Sequence, residues 1–256
     1  MSRPLGFDHF IGSLAGFEDQ FVVIGGGAAA ILMDEQNLEF RPTKDVDLVL
    51  LTNDSPELNA KISEYVQLGK YAIREATKGS PRYYRFRDPE NKDCPVMIEI
   101  FARNERQIEL RDGQYIIPVQ NDAIAQISAI LLDEEYFALI KANRVQMKSG
   151  ASVINAVANI CLKARAHREL SERKAKGEPV DEKDIKKHRH DILRLAVNLT
   201  GQEKPDLGPT TKADLKLAFE LLYKMEKKQF KQIMERQPGA EQDALLDLLG
   251  KVFPTT

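Results

Sequence analysis

The sequence feature that most restricts the fold is a short apolar run that ends in three consecutive glycines. Phe21–Ile24 is apolar and β-branched, residues 25–27 are all glycine, and residues 28–33 favour a helix. This order predicts a strand, a tight turn and a helix. The turn would place backbone N–H groups at a helix N-terminus, where they can bind phosphate oxygens.

A second strand is predicted at residues 45–51, where Asp45 and Asp47 stand at the start of an apolar run. Successive side chains of a strand alternate between its faces, so the two carboxylates point the same way. Like charges raise each other's pKa unless a cation neutralises them, and Mg²⁺ prefers oxygen ligands. A lone Asp-x-Asp pattern is more often two solvated acids at a strand entrance.

Glu99 lies within the otherwise apolar residues 96–101. Burying an unpaired acid is costly, so Glu99 needs a cation or a water-lined cleft. If its strand neighbours that of Asp45, three carboxylates could share one or two metal ions. The alternative is an edge strand on which Glu99 simply points to solvent, and both interpretations stay open here.

The glycine turn also fits a dinucleotide-binding fingerprint, Gly25-x-Gly27-x-x-Ala30, with acids about 20 residues later. In that fold the apolar strand precedes the acid. Here the apolar residues follow Asp45, and residues 39–44 before it are polar. The order excludes the dinucleotide fold, and the lack of a Gly-x4-Gly-Lys-Ser/Thr sequence excludes a P-loop.

The second half of the chain is rich in helix formers at helical spacing. Gly177 and Pro179 interrupt it, and a linker covers residues 201–209. Thr211 with Asp214 predicts the N-cap of a helix that continues to residue 234. Further predicted helices lie at 56–68, 135–148, 152–174 and 182–199, and a final helix after Pro238 and Gly239 runs to about residue 252. Further strands are predicted at 83–87, 96–101 and 115–119.

The composition is that of a globular chain, with 43% hydrophobic and 30% charged residues and a net charge of −2. No apolar run approaches the ~20 residues that span a bilayer, and no signal core opens the chain. We therefore expect a cytoplasmic protein without membrane contact. Cys94 and Cys161 lack metal-ligand spacing. The histidines at 167, 188 and 190 are expected to be polar surface.

Two segments resemble the first motif of the DNA polymerase beta superfamily of nucleotidyltransferases. They are Ile-Gly-Gly-Gly-Ala-Ala at residues 24–29 and Arg-Pro-Thr-Lys-Asp-Val-Asp-Leu at residues 41–48. In that superfamily a third acid lies on a neighbouring strand, which would be Glu99. The Arg-x-Thr-x-Asp-x-Asp form resembles the AbiEii-like branch, which includes toxin–antitoxin nucleotidyltransferases.

Two helical segments extend this resemblance. Leu-Lys-Ala-Arg-Ala at residues 162–166 resembles the helical Lys motif of the branch, and residues 183–192 resemble its later Lys-Asp-x-x-Asp motif. Aligning Lys187 and Asp191 with that later motif puts His188 where the branch usually has Asp. Asp184 is the alternative functional acid, and the sequence leaves the choice open.

The resemblance implies an α/β (α+β) nucleotidyltransferase domain with a mixed sheet at residues 1–120. An all-helical domain at residues 121–256 would close the nucleotide cleft. Mg²⁺ or Mn²⁺ would be held by the three acids, and a nucleoside monophosphate would pass from a nucleoside triphosphate (NTP) to an acceptor hydroxyl. The implied metal and catalytic residues are Asp45, Asp47 and Glu99, and the implied nucleotide-binding residues are Gly25, Gly26, Gly27, Arg41, Thr43, Lys163, Lys187 and Asp191.

The same resemblance suggests tRNA or another RNA as acceptor and a cognate antitoxin protein as partner. A nearly neutral chain does not itself require nucleic acid. The alternatives are a small-molecule nucleotidyltransferase and a catalytically silent nucleotide-binding or antitoxin-like module. Without the motifs, Lys163 would be read as solvent-exposed, and Lys187 with Asp191 as a surface ion pair.

Overall fold

The computed structural model of the chain describes residues 3–52, 55–76, 82–102, 133–237 and 239–254. The strands lie mainly in the first half. They are β1 (Phe21–Ile24), β2 (Asp45–Leu50), β3 (Ala72–Ala76), β4 (Arg82–Arg87), β5 (Met97–Ala102), β6 (Arg144–Gln146) and β7 (Ser152–Ile154).

The helices form most of the second half. They are α1 (Phe7–Ser13), α2 (Gly25–Glu35), α3 (Pro56–Leu68), α4 (Glu134–Ala142), α5 (Ala156–Ala175), α6 (Glu182–Ala196), α7 (Pro209–Tyr223), α8 (Lys227–Ile233) and α9 (Gln242–Val252). Several begin at an N-cap residue whose side chain accepts a backbone hydrogen bond. Ser55, Asn155 and Asp181 each accept a backbone N–H in the first turn of α3, α5 and α6, respectively.

The described strands form one mixed sheet in the order β3-β4-β5-β2-β1-β7-β6. β2 runs antiparallel to β1 and parallel to β5, so it is paired on both edges. β5 is likewise enclosed, because β4 pairs with its other edge. The prediction of an α/β fold with a mixed sheet is therefore confirmed, but the second half is not all helical, because β6 and β7 belong to the sheet.

The elements around β2 are tightly packed. β1 is buried along its whole length, and α2 presents small residues at 28–30 to the core. These alanines let α2 lie close to β1, β2 and α5. The site described below consequently lies beside closely packed, buried elements at the centre of the sheet.

The second half contains two short strands where a helix was predicted. β6 and β7 occupy parts of the segments at 135–148 and 152–174, and β7 pairs in parallel with β1. The predicted helix from Thr211 to residue 234 was also wrong in detail. Gly208 is the N-cap of α7, and the helix ends at Tyr223 before α8 begins. Thr211 instead contacts Glu135 of α4.

Several predictions fall where the structure gives no description. The strand at 115–119 and the division at residue 120 both lie between residues 103 and 132, so they stay predictions.

Cys94 and Cys161 are buried free thiols. In the part of the chain that is described, no helix has the length and apolar character to cross a bilayer.

Candidate active site

Asp47 and Glu99 lie opposite each other on the two parallel strands at the centre of the sheet. The register of β2 and β5 pairs Asp47 with Glu99, and Asp45 with Met97. On the other edge of β2, Asp47 lies opposite Ile24, the last residue of β1. The three carboxylates thus share one face, beside the point where β1 ends and α2 begins.

The glycine turn fits against the Asp47 carboxylate. Gly25 has a φ of +69°, and a Cβ at that position would collide with Oδ2 of Asp47. A Cβ on Gly26 would lie 2.8 Å from Oγ1 of Thr43. Both close approaches require glycine. The N-cap residue of α2, Ile24, makes no side-chain capping hydrogen bond, and the first N–H groups of the helix lie beside the acids.

Two further residues fix this turn. The Asn159 side chain of α5 donates a hydrogen bond of 3.0 Å to the carbonyl oxygen of Gly25. Gly27 faces the interior, where an added Cβ would be 3.5 Å from Val23. Of the three glycines, Gly25 and Gly26 therefore face the carboxylate side, while Gly27 lies against the core.

The local electrostatics disfavour two ionised aspartates in the absence of a cation. Burial raises the pKa of Asp47, and Glu99 and Asp45 raise it further. Burial and then Glu99 also raise the pKa of Asp45, although Lys187 acts in the opposite direction. Oδ1 of Asp47 is buried and has no hydrogen-bond partner among the described residues. These features fit a pair of oxygen ligands for a divalent cation.

Glu99 is held by an arginine from the neighbouring strand. Nε and Nη2 of Arg85 lie 2.7 Å and 2.5 Å from Oε1 of Glu99, and both side chains are buried. Glu99 is therefore neither on an edge strand nor a solvated acid. Within the described ranges, no group of three or more His, Cys, Asp or Glu has the arrangement of a complete metal site.

Asp191 is a fully buried centre for three cations. Arg41 contacts it in a bidentate manner, at 2.9 Å from Nε to Oδ1 and 2.7 Å from Nη2 to Oδ2. Nζ of Lys163 lies 3.3 Å from Oδ2, and Nη1 of Arg194 lies 3.1 Å from Oδ1. Burial alone would raise the pKa of Asp191, but Lys163, Arg41 and Arg194 hold it well below its usual range.

Lys163 is a buried cation between two acidic groups. Burial lowers its pKa, while Asp191 and, more weakly, Asp47 raise it. Its side chain lines the same cleft as Asp47. Lys163 is thus the cation that connects the central carboxylates to the Asp191 cluster.

The inner face of α6 presents a column of polar residues. Asp184, Lys187, His188 and Asp191 are spaced three or four apart, which places them on one side of the helix. Asp184 and Lys187 are exposed, whereas Asp191 is enclosed. The two candidate acids of the later motif are therefore two turns apart on one face, Asp184 in the cleft wall and Asp191 beneath it.

His188 lies between these acids. Its Nδ1 is buried without a hydrogen-bond partner in the described part of the protein. Burial lowers the pKa of His188 well below its usual value, and Lys163 adds to the effect. Burial also lowers the pKa of His167. The prediction that His167 is polar surface was wrong, because the residue is 2% exposed and its Nδ1 lies 3.3 Å from the carbonyl oxygen of Ile185.

The central acids, Lys163 and the outer part of the α6 column line one cleft of about 560 Å³, a volume within the range of small-molecule sites, ~300–1,000 Å³. One wall comes from the sheet and the segment before β2, and the other comes from α5 and α6. The lining residues include Gly26, Arg41, Thr43, Asp45, Asp47, Glu99, Lys163, Leu170, Pro179, Val180, Asp184, Lys187 and His188.

The structure thus brings together most of the residues singled out in the sequence. Asp191 is not among the lining residues, since its oxygens are engaged by cations beneath the cleft. Sequence reasoning missed Arg85, Asn159 and Arg194. The only available signals were the alternation in β4, which puts Arg85 and Arg87 on one face, and the spacing of Asn159 one turn before Lys163.

Comparisons with known proteins give distant similarities. The chain is similar to the Megavirus polyadenylate synthase, with 8% identity and a TM-score of 0.36 over 94% of this chain and 50% of that one. It is also similar to a candidate nucleotidyltransferase from H. pylori, with 10% identity and a TM-score of 0.38 over 96% and 91% of the two chains.

The chain therefore spans half the length of the first of these proteins. No protein-family model matches the sequence, and no curated protein matches it significantly. Both TM-scores are too low to assign a function to this chain. The geometry of the cleft has to support any assignment.

Proposed function

We propose that the chain is a Mg²⁺-dependent nucleotidyltransferase that transfers a nucleoside monophosphate from an NTP to an acceptor hydroxyl. The observation that carries the proposal is the contact between the Gly25 turn and the Asp47 carboxylate, with Glu99 directly opposite on β5. A helix N-terminus favours phosphate, and acids with perturbed pKa values in a cleft are typical of functional sites, so the two together support a ligand that needs both.

The chain's own residues would bind the triphosphate from two sides. The free N–H groups at the start of α2 would hold phosphate oxygens. Lys163 would add a buried positive charge on the opposite wall, and Lys187 an exposed one beside Asp45. Arg41 and Asp191 are engaged with each other, so we assign them to positioning Lys163 rather than to contacting the nucleotide.

Asp45 and Asp47 are the residues that would hold Mg²⁺. Protein sites commonly bind this ion through one or two carboxylates and the substrate phosphates, so a complete set of protein ligands is not required. The unpartnered Oδ1 of Asp47 and the raised pKa values of both aspartates fit that role. Bound there, the ion would neutralise the triphosphate and stabilise charge on the departing oxygen.

In the proposed reaction the acceptor oxygen forms a bond to the α-phosphorus, and the bond from that phosphorus to the β-bridging oxygen breaks. Pyrophosphate leaves, and the acceptor proton passes to Glu99. Arg85 would hold Glu99 in place for the acceptor hydroxyl. Most of the rate enhancement would come from positioning and electrostatics.

An RNA end is the acceptor that we propose first, with tRNA as one candidate. Arg87 and Lys187 lie close enough to Asp45 to lower its pKa, and Lys44 also lines the cleft. Cations around the carboxylates would attract a polyanion. A cognate antitoxin protein, as in the branch that the sequence resembles, would be the partner that restrains this activity.

The test is to incubate the chain with each α-labelled NTP, Mg²⁺ and total cellular RNA, and to measure label transfer and pyrophosphate release. Replacing Asp45 and Asp47 with Asn should reduce both by at least about 100-fold, the scale of losing a principal electrostatic group. Asp206→Asn, an exposed aspartate outside the cleft, is the matched control. Undiminished transfer by the double variant would contradict the proposal.

A catalytically silent nucleotide-binding or antitoxin-like module is the second candidate. The pairing of Glu99 with Arg85 favours it, because a carboxylate oxygen already engaged by arginine is less available to an acceptor hydroxyl or a metal ion. This candidate predicts Mg²⁺-dependent NTP binding without pyrophosphate release from any acceptor pool, including small hydroxylated molecules. Arg85→Met would then leave nucleotide binding unchanged.

A further inference from the structure

The two ends of the cleft differ in chemistry. One end contains the glycine turn, the aspartates and Lys163. The other end lies at the turn between α5 and α6 and combines apolar side chains with two carboxylates. We call this second end the rim pocket, and it consists of Leu170, Pro179, Val180, Asp181 and Asp184.

Helix geometry gives the distance between these ends. Lys163 and Leu170 both line the cleft and are seven residues apart on α5, which corresponds to about 10 Å along one helix face. On α6, His188 and Asp184 are one turn apart, and Asp184 is the one nearer to the turn that joins α5 and α6. The cleft is thus charged where the helices meet the sheet and more apolar where they are joined to each other.

A nucleoside triphosphate has the same division, with a charged triphosphate at one end and a flat base at the other. We propose that the rim pocket binds the base of the NTP and that Asp184 selects bases with an exocyclic amino group. This inference rests on the proposed function, because it places the triphosphate at the glycine turn and Lys163.

The preference follows from the hydrogen-bonding capacity of Asp184. An ionised carboxylate only accepts hydrogen bonds. No ion pair or hydrogen bond engages this carboxylate within the described residues, whereas that of Asp181 caps α6 through Lys183 N–H. The amino group of cytosine or adenine can donate to Asp184, as carboxylates accept from cytosine N4 in nucleic-acid complexes.

Uracil and hypoxanthine present a carbonyl oxygen at the corresponding position. That oxygen would face the carboxylate without a donor between them, which disfavours binding. The apolar side chains contribute differently, because Leu170, Pro179 and Val180 can contact the faces of any base. The apolar side chains therefore contribute affinity for every base, and Asp184 contributes the preference for bases with an amino group.

The experiment measures binding of CTP, UTP, ATP and ITP to the full chain in the presence of Mg²⁺ by calorimetry. We expect CTP to bind at least about fivefold more tightly than UTP, and ATP more tightly than ITP by a similar factor, as one charged hydrogen bond allows. Asp184→Ala should bring both ratios below about twofold while Mg²⁺-dependent binding persists.

Two further variants make the result specific. Val180→Ser should weaken all four nucleotides by about threefold and leave the ratios unchanged, as expected for lost apolar area alone. Asp206→Ala should match the wild type. Equal affinities in the wild type, or a preference that survives Asp184→Ala, would overturn the inference and leave the proposed function standing. Absence of Mg²⁺-dependent binding of all four nucleotides would overturn both.

Discussion

At the scale of single residues, the charge of Asp47 should oppose stability as well as serve function. Its carboxylate is enclosed beside Glu99 and Asp45, and burial and repulsion raise its pKa. Asp47→Asn removes the charge and keeps the shape. We expect the variant to be more stable than the wild type by about 1 kcal/mol in EDTA, because the substitution removes the repulsion between buried carboxylates.

The measurement is urea unfolding of the two proteins in EDTA and again with excess Mg²⁺ and NTP. Ligand binding should stabilise the wild type, by mass action, and should not stabilise Asp47→Asn. Asp206→Asn serves as the control for a change of net charge. A variant that is less stable in EDTA, or that keeps its stabilisation by ligand, would show that Asp47 is an ordinary structural acid.

Some residue positions could be predicted from the sequence, and others could not. The alternation of side chains in a strand places Asp45 and Asp47 on one face from local sequence alone. The position of Glu99 opposite Asp47 depends on which strands pair, and the local pattern around Glu99 carries no such information. Arg85 was missed for the same reason, since its contact with Glu99 joins two strands.

At the scale of elements, Asp191 connects α6 to α5 and to the segment before β2. Its carboxylate is 0% exposed and contacts Arg41, Lys163 and Arg194. Asp191→Asn would leave these cations without their counter-charge. Breaking a buried ion pair from one side costs about 3–5 kcal/mol, and we expect a loss near the lower end because Arg41 is partly exposed.

Urea unfolding at pH 7 and below pH 4 tests this prediction. The pKa of Asp191 is depressed in the folded state, so its contribution is present above the unfolded pKa, about 3.9, and is lost as the pH falls further. The difference in free energy of unfolding between the wild type and Asp191→Asn should therefore become smaller below about pH 4. Asp184→Asn on the same helix is the control and should change stability by less than about 0.5 kcal/mol.

The N-terminus of α7 depends on a side chain from another helix. Its N-cap is Gly208, which provides no side-chain acceptor. Glu135 of α4 instead accepts from the backbone N–H groups of Thr210 and Thr211, at 3.2 Å and 2.7 Å. We expect Glu135→Ala to reduce the free energy of unfolding by about 1 kcal/mol, the usual value of an N-cap.

Chemical denaturation of Glu135→Ala and Glu241→Ala measures this contribution. Glu241 is the N-cap of α9, but its side chain makes no capping hydrogen bond. Its replacement should change stability by less than about 0.5 kcal/mol. Equal effects of the two substitutions would mean that Glu135 does not cap α7.

The elements themselves were predictable where their signals are local. The interruption between α5 and α6 follows from Gly177 and Pro179, and Asp181 caps α6 there. The strands β6 and β7 were missed because each has three residues, too few for an alternating pattern, and they lie between helix formers. Pairing with β1 fixes β7, which is a tertiary effect.

At the scale of the whole molecule, the sequence could predict a mixed α/β architecture but not the order of its strands. The polar and apolar order around Asp45 excluded a dinucleotide fold. It did not reveal that β1 separates β2 from a hairpin formed by residues 144–154. That hairpin joins the second half of the chain to the sheet and thereby supports α5, which carries Asn159 and Lys163.

At the same scale, the protonation of His190 should lower the stability of the molecule as the solution is acidified from pH 7 to pH 5. Burial lowers the pKa of His190 to about 4, and Arg189 and Arg194 add to the shift while Asp191 opposes it. In the unfolded chain the histidine pKa is about 6.5. The unfolded state therefore binds protons first, and stability present above about pH 6.5 is lost as the pH falls towards 4.

His190→Gln isolates this contribution, because all other titrating groups are common to both proteins. Between pH 7 and pH 5, the wild type should lose about 1 kcal/mol more than the variant once the screening of a partly exposed ring is included. Urea unfolding at the two pH values measures the difference. An identical loss in both proteins would mean that His190 titrates normally in the folded chain and would contradict this prediction.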